Sequence, residues 1–192
     1  VIAAKALGHQ AIALTDRNTL AGVVRAHEEA KKEGIRFVVG CRLEPQNGLS
    51  VLVYPQNRRG YANLCRLLSR GKMRAPKGEC HFTFTEMLDH LGEMAVVALP
   101  PQTLDDALTA QLEVLKSTAL GRVWLAASYL YTGDDRARLS QLTALSKRLC
   151  IPLVATNDVH YHSAERRALQ DVVTCIREGA KLQDAGFALL SH

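Results

Sequence analysis

The sequence predicts an α/β fold in which a largely parallel β-sheet is covered by helices. Short apolar runs of strand length alternate with longer segments whose apolar residues recur at helical spacing, and such alternation is typical of β-α-β units. The 192 residues suffice for one domain with a substantial core, and a hydrophobic content of 47% is ordinary for a globular protein. About six strands are predicted, so one more strand before Val1 would give a closed or nearly closed βα barrel.

Short strands and four helices are predicted in the first half of the chain. The strands cover residues 11–15, 37–43 and 49–54, and the helices cover residues 1–7, 19–33, 57–69 and 84–91. Asn18 is a plausible N-cap of the second helix, and Gly34 ends that helix. The pair Asn47-Gly48 marks a turn that joins the second and third strands as a hairpin. Thr83 and Glu86 match a capping box at the start of the fourth helix.

Strands and helices alternate regularly in the second half. The strands are predicted at residues 95–99, 122–127 and 152–156, and the helices at residues 104–118, 134–149 and 164–178. Pro100-Pro101 ends the first of these strands, because proline cannot donate a ladder hydrogen bond. Asp134 and Asp135 are natural N-terminal residues for the helix that follows them. No GxGxxG or Walker pattern follows any strand, so a nucleotide-phosphate loop is not indicated.

Composition and charge exclude several classes of protein. No apolar run approaches the roughly 20 residues that cross a bilayer, and no signal peptide is visible. The formal net charge of +5, from 24 Lys and Arg against 19 Asp and Glu, favours contact with a polyanion only where the cations cluster. The chain starts without Met inside a predicted helix, which suggests a piece of a longer protein.

The cysteine pattern indicates free thiols in a reducing compartment. The five cysteines are widely spaced and form no CxxC pair; they are Cys41, Cys65, Cys80, Cys150 and Cys175. An odd number at irregular spacing in a chain without a signal peptide argues against a disulfide framework. We therefore expect a cytoplasmic protein whose cysteines are small buried residues.

Polar residues follow three of the predicted strands. Asp16 and Arg17 come after the first strand, Arg42 lies at the end of the second, and Asp158 and His160 follow the last. In a βα barrel the strand ends meet at one rim, where such folds keep their chemistry. Carboxylates and imidazoles there would suit Zn²⁺ or Mn²⁺ and a metal-bound hydroxide that attacks a phosphate ester.

The set of possible metal ligands is nevertheless small. Only Asp16, Asp158 and His160 occupy suitable positions, and a guanidinium is permanently charged and cannot bind a cation. Arg17 and Arg42 would repel a metal and form ion pairs with Asp16 or Asp158 instead. Two interpretations stay open for Asp158 and His160: a metal site, or a hydrogen-bonded remnant that holds no metal.

A cluster of cations is predicted in the loop after the third helix. Its members are Arg70, Lys72, Arg74 and Lys77. They could neutralise DNA phosphates, each contact adding salt-dependent affinity, or they could simply be solvated. Few aromatic residues lie near these cations, so stacking on single-stranded bases is not indicated.

Three segments together resemble the PHP (polymerase and histidinol phosphatase) domain, specifically the N-terminal domain of bacterial C-family DNA polymerases of the DNA polymerase III alpha-subunit type. They are ALTDRNTLAG at residues 13–22, AKKEGIRFVVGC at residues 30–41 and ATNDVH at residues 155–160. The segment HYHSAERRALQDVVTCIREG, residues 160–179, is most similar to the error-prone branch called ImuC. The resemblance covers nearly the whole chain.

The resemblance implies a PHP-type distorted (β/α)7 barrel, incomplete at its N-terminus here, with residues 1–192 forming a single PHP domain. Active members of the family bind metals through an opening His-x-His, a Thr-Asp-His, a Gly-x-Glu and a closing Asp-x-His motif. Arg17 stands at the His position and Arg42 at the Glu position, and only Asp16, Asp158 and His160 match. The resemblance therefore implies a structural module with a degenerate metal site and no cofactor of its own.

The same resemblance implies a function for the longer protein. The parent would be an error-prone DNA polymerase that performs DNA-templated synthesis across damage with Mg²⁺, and its catalytic carboxylates would lie beyond residue 192. Its partners would be DNA, deoxynucleotides, the polymerase body and damage-tolerance accessory proteins, with no membrane. The alternative is a free-standing, metal-dependent PHP phosphoesterase of the histidinol-phosphatase type, which would need an intact ligand set.

Overall fold

The computed structural model describes residues 1–119, 121–131, 133–186 and 189, and these residues form an α/β fold. The strands are β1 (Ala11–Leu14), β2 (Arg36–Val39), β3 (Cys41–Leu43), β4 (Val51–Pro55), β5 (Met94–Ala98), β6 (Val123–Ala127) and β7 (Leu153–Ala155). The α-helices are α1 (Ile2–Ala6), α2 (Val23–Glu33), α3 (Arg58–Arg74), α4 (Phe84–Leu88), α5 (Asp106–Thr118), α6 (Asp135–Leu149) and α7 (Arg167–Glu178). Two short 3-10 helices cover Ala164–Arg166 and Leu182–Asp184.

The strands form two sheets rather than one. Strands β1 and β2 pair in parallel, from Ala11 opposite Arg36 to Leu14 opposite Val39. The other sheet has the order β3-β4-β5-β6-β7. In it β4 is antiparallel to both β3 and β5, whereas β5 and β6 are parallel. The prediction of a largely parallel sheet is therefore wrong for β3 to β5, because the hairpin reverses the chain there, and the strands described form no closed sheet.

Gly40 divides what the sequence predicts as one strand over residues 37–43. The chain leaves the first sheet after β2 and enters the second at β3, with only Gly40 between them. A Cβ atom at Gly40 would lie 2.8 Å from Tyr54 Cε1 and 2.9 Å from Thr15 Cγ2. Only a residue without a side chain fits this close passage, since van der Waals contact needs more space.

The chain divides into two compact units. The first comprises Val1–Ala126 and Leu142–Val154, and the second comprises Ala127–Gln141 and the described part of Ala155–His192. The largest fully buried side chains all belong to the first unit; they are Phe82, Leu43, Leu64, Leu67, Met87, Leu91, Met94, Leu112, Leu115, Leu125, Leu142 and Ile151. The main hydrophobic core therefore lies in the first unit.

Several local predictions are confirmed. Gly34 ends α2 in the left-handed conformation at φ 64°, as a C-terminal glycine commonly does. Asn47-Gly48 lies between the antiparallel strands β3 and β4. Thr83 and Glu86 form the expected capping box at the start of α4.

Asn18 has a different role from the predicted N-cap. Helix α2 begins at Val23 with Gly22 as its N-cap, four residues later than predicted. The Asn18 side chain instead accepts a hydrogen bond from the backbone N–H of Glu44 at 2.9 Å and donates to the Glu44 carbonyl oxygen at 3.2 Å. These two bonds fasten the segment after β1 to the end of β3.

Helix α3 continues past its predicted end at residue 69. It runs to Arg74 because Gly71 extends the buried face begun by Leu64, Leu67 and Leu68. A Cβ at Gly71 would lie 2.7 Å from Cys80 Sγ, and the Gly71 carbonyl oxygen accepts from His81 N–H at 3.0 Å. The prediction of a loop from residue 70 is therefore wrong for residues 70–74, which are helical, and holds for residues 75–78.

All five cysteines are free thiols. Cys41 and Cys175 are buried, Cys65 and Cys80 are half-buried, and Cys150 is exposed. The expectation of small buried residues thus holds for two of the five. None of the helices in the described residues is long and apolar enough to span a bilayer.

Candidate functional site

The segment that follows β1 is fixed by backbone hydrogen bonds to β3. Arg42 N–H donates to the Asp16 carbonyl oxygen at 3.1 Å, and Asn18 N–H donates to the Arg42 carbonyl oxygen at 2.8 Å. Arg17 and Arg42 thereby form a parallel bridge. The pairing brings Asp16, Arg17 and Arg42, three predicted site residues, to one edge of the first unit.

Glu44 is the carboxylate that both arginines share at this edge. Arg42 Nε lies 2.7 Å from Glu44 Oε1, and Arg17 Nε lies 3.6 Å from the same oxygen. The Arg42–Glu44 pair is partly buried, with 22% and 30% of the side chains exposed. Glu44 is therefore a partner of both arginines that the sequence prediction did not name. The sequence does contain a signal for this contact: Glu44 lies two positions after Arg42, and residues two apart in an extended chain share a face.

Cys41 is a structural thiol beneath the same edge. It is fully buried, and its Sγ lies 3.4 Å from the Asp16 carbonyl oxygen and 3.5 Å from that of Thr19. Burial raises the pKa of Cys41 to about 12. A cysteine nucleophile must be a thiolate, and this thiol stays protonated at neutral pH.

The residues at this edge do not fit a divalent metal. The two positions where the family resemblance implies ligands carry guanidinium groups, and Arg42 is in close charge contact with Glu44. Among the residues that the structure describes, no group of three or more His, Cys, Asp or Glu side chains is arranged to hold a metal ion. A cation at this edge would meet permanent positive charge with too few oxygen or nitrogen ligands to offset it.

Asp158 and His160 belong to the second unit. A backbone hydrogen bond fixes the chain just after β7: Thr156 N–H donates to the Ala127 carbonyl oxygen at 2.9 Å. Beyond it His160 Nε2 lies 3.4 Å from Asp158 Oδ2, with the Asp158 side chain 60% exposed and that of His160 22% exposed. The imidazole and the carboxylate therefore contact each other directly.

The predicted cationic loop is mostly helix. Arg70, Lys72 and Arg74 lie in the last turns of α3, and only Lys77 lies in the turn that follows. Lys72 Nζ donates to Thr19 Oγ1 at 3.2 Å. Arg74 forms an ion pair with Glu86. Two of the four predicted DNA-contacting cations thus have partners within the protein.

The Arg74–Glu86 pair also perturbs a carboxyl group. The hydrogen bond from Arg74, followed by one from the Thr83 backbone, lowers the pKa of Glu86 to about 2. Glu86 therefore stays ionised well below neutral pH. It joins the end of α3 to the start of α4, because it is also the acidic member of the capping box.

A cleft of about 400 Å³ lies beside Arg42 in the first unit. Its polar lining includes Ser50, Asp105 and Gln111. The Asp105 carboxylate is already the N-cap of α5, accepting from Leu108 N–H at 2.8 Å. The polar groups that line the cleft are therefore the Arg42 guanidinium, the Asp105 carboxylate that caps α5, and the neutral side chains of Ser50 and Gln111.

The chain matches a known family and long curated relatives. The family model described as PHP domain matches residues 1–128. An error-prone DNA polymerase of Caulobacter vibrioides is 47% identical over 189 residues, covering 98% of this chain and 18% of that protein. Error-prone DNA polymerase 1 of Agrobacterium fabrum is 43% identical over 189 residues, covering 98% of this chain and 17% of that protein. The chain spans less than a fifth of the length of these relatives.

Two solved structures share the fold at low identity. One is a protein of Bifidobacterium adolescentis assigned as a metal-dependent phosphoesterase, with a TM-score of 0.60, 14% identity and coverage of 85% of this chain and 81% of that one. The other is an amidohydrolase of Chromobacterium violaceum with bound sulfate and no metal, with a TM-score of 0.61, 13% identity and coverage of 83% and 80%. Identities this low establish a shared α/β fold and carry no function across.

Proposed function

This chain belongs to the PHP domain family, and we propose that it serves as the PHP domain of an error-prone DNA polymerase. The observation that carries the proposal is the 47% identity to one such polymerase over 98% of the chain. The parent protein would extend a DNA primer on a damaged template with deoxynucleotides and Mg²⁺. The carboxylates that hold this Mg²⁺ would lie outside the present residues.

Within the polymerase, the proposed role of the domain is structural. Arg17 and Arg42 stand at two ligand positions of the family and share Glu44. Asp16, Asp158 and His160 are then vestiges of a metal site, and the domain needs no cofactor for its role. It would pack on the polymerase body.

The finer description of the fold is part of the same proposal. Residues 1–192 would form a single PHP domain with a distorted (β/α)7 barrel. The alternation of strands and helices and the two TM-scores near 0.6 support this topology. A structure of the full-length polymerase, in which the order of all barrel strands can be read, is the direct test.

The proposed partners follow from the proposed parent. DNA and deoxynucleotides would bind through the polymerase, and damage-tolerance accessory proteins would bind the assembled enzyme in the cytoplasm. Contact of DNA with Arg70, Lys72, Arg74 and Lys77 is also a proposal. The set of residues in this DNA contact needs revision, because Lys72 already contacts Thr19 and Arg74 already pairs with Glu86.

A primer-extension assay tests the polymerase assignment. The full-length gene product is incubated with Mg²⁺, four deoxynucleotides and a primed template containing one abasic site. Extension past the lesion is expected. Absence of DNA synthesis on both damaged and undamaged templates would reject the assignment.

Metal analysis tests the structural role. The purified protein is equilibrated with Zn²⁺ or Mn²⁺, freed of excess metal and assayed for bound metal and for hydrolysis of p-nitrophenyl phosphate. We expect less than stoichiometric metal and no turnover. Stoichiometric metal together with phosphoesterase turnover would overturn the structural role while leaving the polymerase assignment intact.

The second candidate function is that of a free-standing phosphoesterase. It is favoured by the shared fold with a protein assigned as a metal-dependent phosphoesterase. The guanidinium groups of Arg17 and Arg42 oppose it, because they occupy positions where such an enzyme needs ligands. Sequencing the gene downstream of residue 192 separates the two, since only a polymerase would continue for many hundred residues.

A further inference from the structure

We propose that the outer side of α3 binds the phosphate backbone of duplex DNA through Arg59, Arg66 and Arg70, which we call the α3 basic face. This inference rests on the proposed polymerase function and names the surface of this domain that meets the DNA. It replaces the predicted basic loop, of which only Arg70 is kept.

Helix α3 carries an unbalanced positive charge. Its 17 residues include six cations and no Asp or Glu; the cations are Arg58, Arg59, Arg66, Arg70, Lys72 and Arg74. Helix α2 of the same unit is a useful contrast, because its three cations are matched by Glu28, Glu29 and Glu33. A cationic helix without internal compensation creates a local positive potential that attracts a polyanion.

The α3 basic face lies away from the buried side of the helix. The buried residues of α3 are Gly60, Leu64, Leu67, Leu68 and Gly71. At 3.6 residues per turn, Arg59, Arg66 and Arg70 fall within an arc of about 40°, centred about 120° around the helix from the middle of the buried set. They extend about 16 Å along the axis at about 1.5 Å per residue. All three side chains are exposed, so they form one accessible row of guanidinium groups.

The three arginines are available to an external anion. Arg74 pairs with Glu86 and Lys72 contacts Thr19, so these two cations serve the fold. In contrast, no acidic side chain of the described residues forms an ion pair with the α3 basic face. Arg66 Nη1 donates to Asn63 Oδ1 at 2.9 Å, which orients this guanidinium while leaving its other N–H donors for a ligand.

The chemistry of the row favours a DNA backbone. Guanidinium groups bind phosphate oxygens with two parallel hydrogen bonds. Duplex DNA carries one negative charge per about 1.7 Å of its axis, so a row of about 16 Å spans several phosphates. The row contains no aromatic side chain on which an unpaired base could stack. Contacts of this kind position DNA without reading its sequence.

DNA binding by the full-length polymerase tests the α3 basic face. The variant Arg59→Ala/Arg66→Ala/Arg70→Ala is compared with Arg25→Ala/Lys31→Ala/Lys32→Ala, which removes three charges from α2. Affinity for a primed DNA duplex is measured by fluorescence anisotropy between 50 and 300 mM KCl, and thermal unfolding is checked for both. Three lost phosphate contacts should weaken binding about 10- to 100-fold and lower the slope of log K against log salt by about 2–3.

The α2 variant should retain the affinity and the slope of the unchanged polymerase. The charge-preserving variant Arg59→Lys/Arg66→Lys/Arg70→Lys should also retain most of the slope. If the alanine triple variant fails to fold, Arg66→Gln alone should lower the slope by about 0.9. Each of these results would support the proposal.

Equal DNA affinity and slope for the α3 variant and the α2 variant would overturn the proposal. So would unchanged duplex binding with a loss of affinity for single-stranded RNA of the same length, because the partner would then be of another class. Either result leaves primer extension by the unchanged polymerase intact. Failure of the unchanged polymerase to synthesise DNA would instead reject the proposed function itself.

Discussion

Arg42 and Glu44 lie two residues apart on one extended segment, and Arg42 Nε approaches Glu44 Oε1 to 2.7 Å. The guanidinium stands where the family resemblance implies a metal-binding carboxylate, and the carboxylate stands two positions further along the chain. Arg17 reaches the same oxygen from the segment after β1. A cluster of two arginines and one glutamate thus joins two strand ends.

Removing the shared carboxylate should loosen this edge. The variant Glu44→Gln leaves Arg17 and the partly buried Arg42 without their common anion. We expect a loss of about 1–2 kcal/mol in the free energy of unfolding, which is more than a fully exposed ion pair contributes. Urea unfolding of the purified protein at pH 7 measures the loss.

Glu29→Gln is the matched control, because Glu29 pairs at 3.5 Å with the exposed Lys32. A change below about 0.5 kcal/mol in the free energy of unfolding is expected for this control. Equal effects of the two variants would contradict the prediction.

The Arg74–Glu86 pair should make stability depend on pH in the acid range. Because the pKa of Glu86 is lowered to about 2 in the folded protein, its stabilising contribution is fully present above the ordinary value near 4.5. That contribution is lost as the pH falls through the folded value. The stability difference between the unchanged protein and Glu86→Gln should therefore shrink from pH 6 to pH 2. Urea midpoints across this range provide the measurement, and Arg74→Gln should flatten the trend. A difference that is independent of pH would refute the assignment.

Gly60 should tolerate no side chain. A Cβ at this position of α3 would collide with the carbonyl oxygen of Glu93, which also accepts from Gln56 N–H at 2.9 Å. Gly60→Ala should therefore destabilise the protein by about 1–3 kcal/mol, although alanine is ordinarily the better helix former. Gly92→Ala is the control, since its Cβ would meet only Asn63 Nδ2 at 3.6 Å. Thermal unfolding of both variants measures the two changes in stability. If Gly60→Ala left the stability unchanged, the backbone at Glu93 would have to move to make room for the Cβ, and the prediction would be wrong.

The cysteines should differ strongly in reactivity. Cys41 is fully buried and its pKa is raised to about 12 by that burial, whereas Cys150 is exposed. Iodoacetamide at pH 8 should alkylate Cys150 at least about ten times faster, because only an accessible thiolate reacts. Peptide mass spectrometry over a time course measures both rates. In urea the two rates should converge, and rapid labelling of Cys41 in the native protein would contradict its burial beneath the edge formed by Asp16, Arg17 and Arg42.

The sequence predicts those features that depend on neighbouring residues. The Gly34 helix end and the Thr83–Glu86 capping box follow from local backbone geometry and local hydrogen bonds. Each signal lies within a few residues of the structure it specifies. These predictions are therefore confirmed at the level of single residues.

Features that depend on distant residues are where the predictions fail. Asn18 is a residue type that commonly caps helices, but its side chain forms a hydrogen bond with Glu44, 26 positions away in the sequence. Gly40 lies in a continuous apolar run, and only the approach of Tyr54 and Thr15 shows why the strand divides there. Periodicity reports which face of an element is buried and does not report which strand becomes its neighbour.

The sharing of Glu44 has a consequence for biosynthesis. A protein edge completed by a bound metal forms fully only when that metal can be obtained, and its folding then varies with the nutrition of the cell. The positive charge supplied by Arg42 is encoded in the gene and is present in every newly made chain. Starvation for zinc or manganese should therefore leave the maturation of this edge unaffected. Dissolved salt, which screens exposed charges, should weaken mainly the contact of Glu44 with Arg17, whose side chain is 46% exposed.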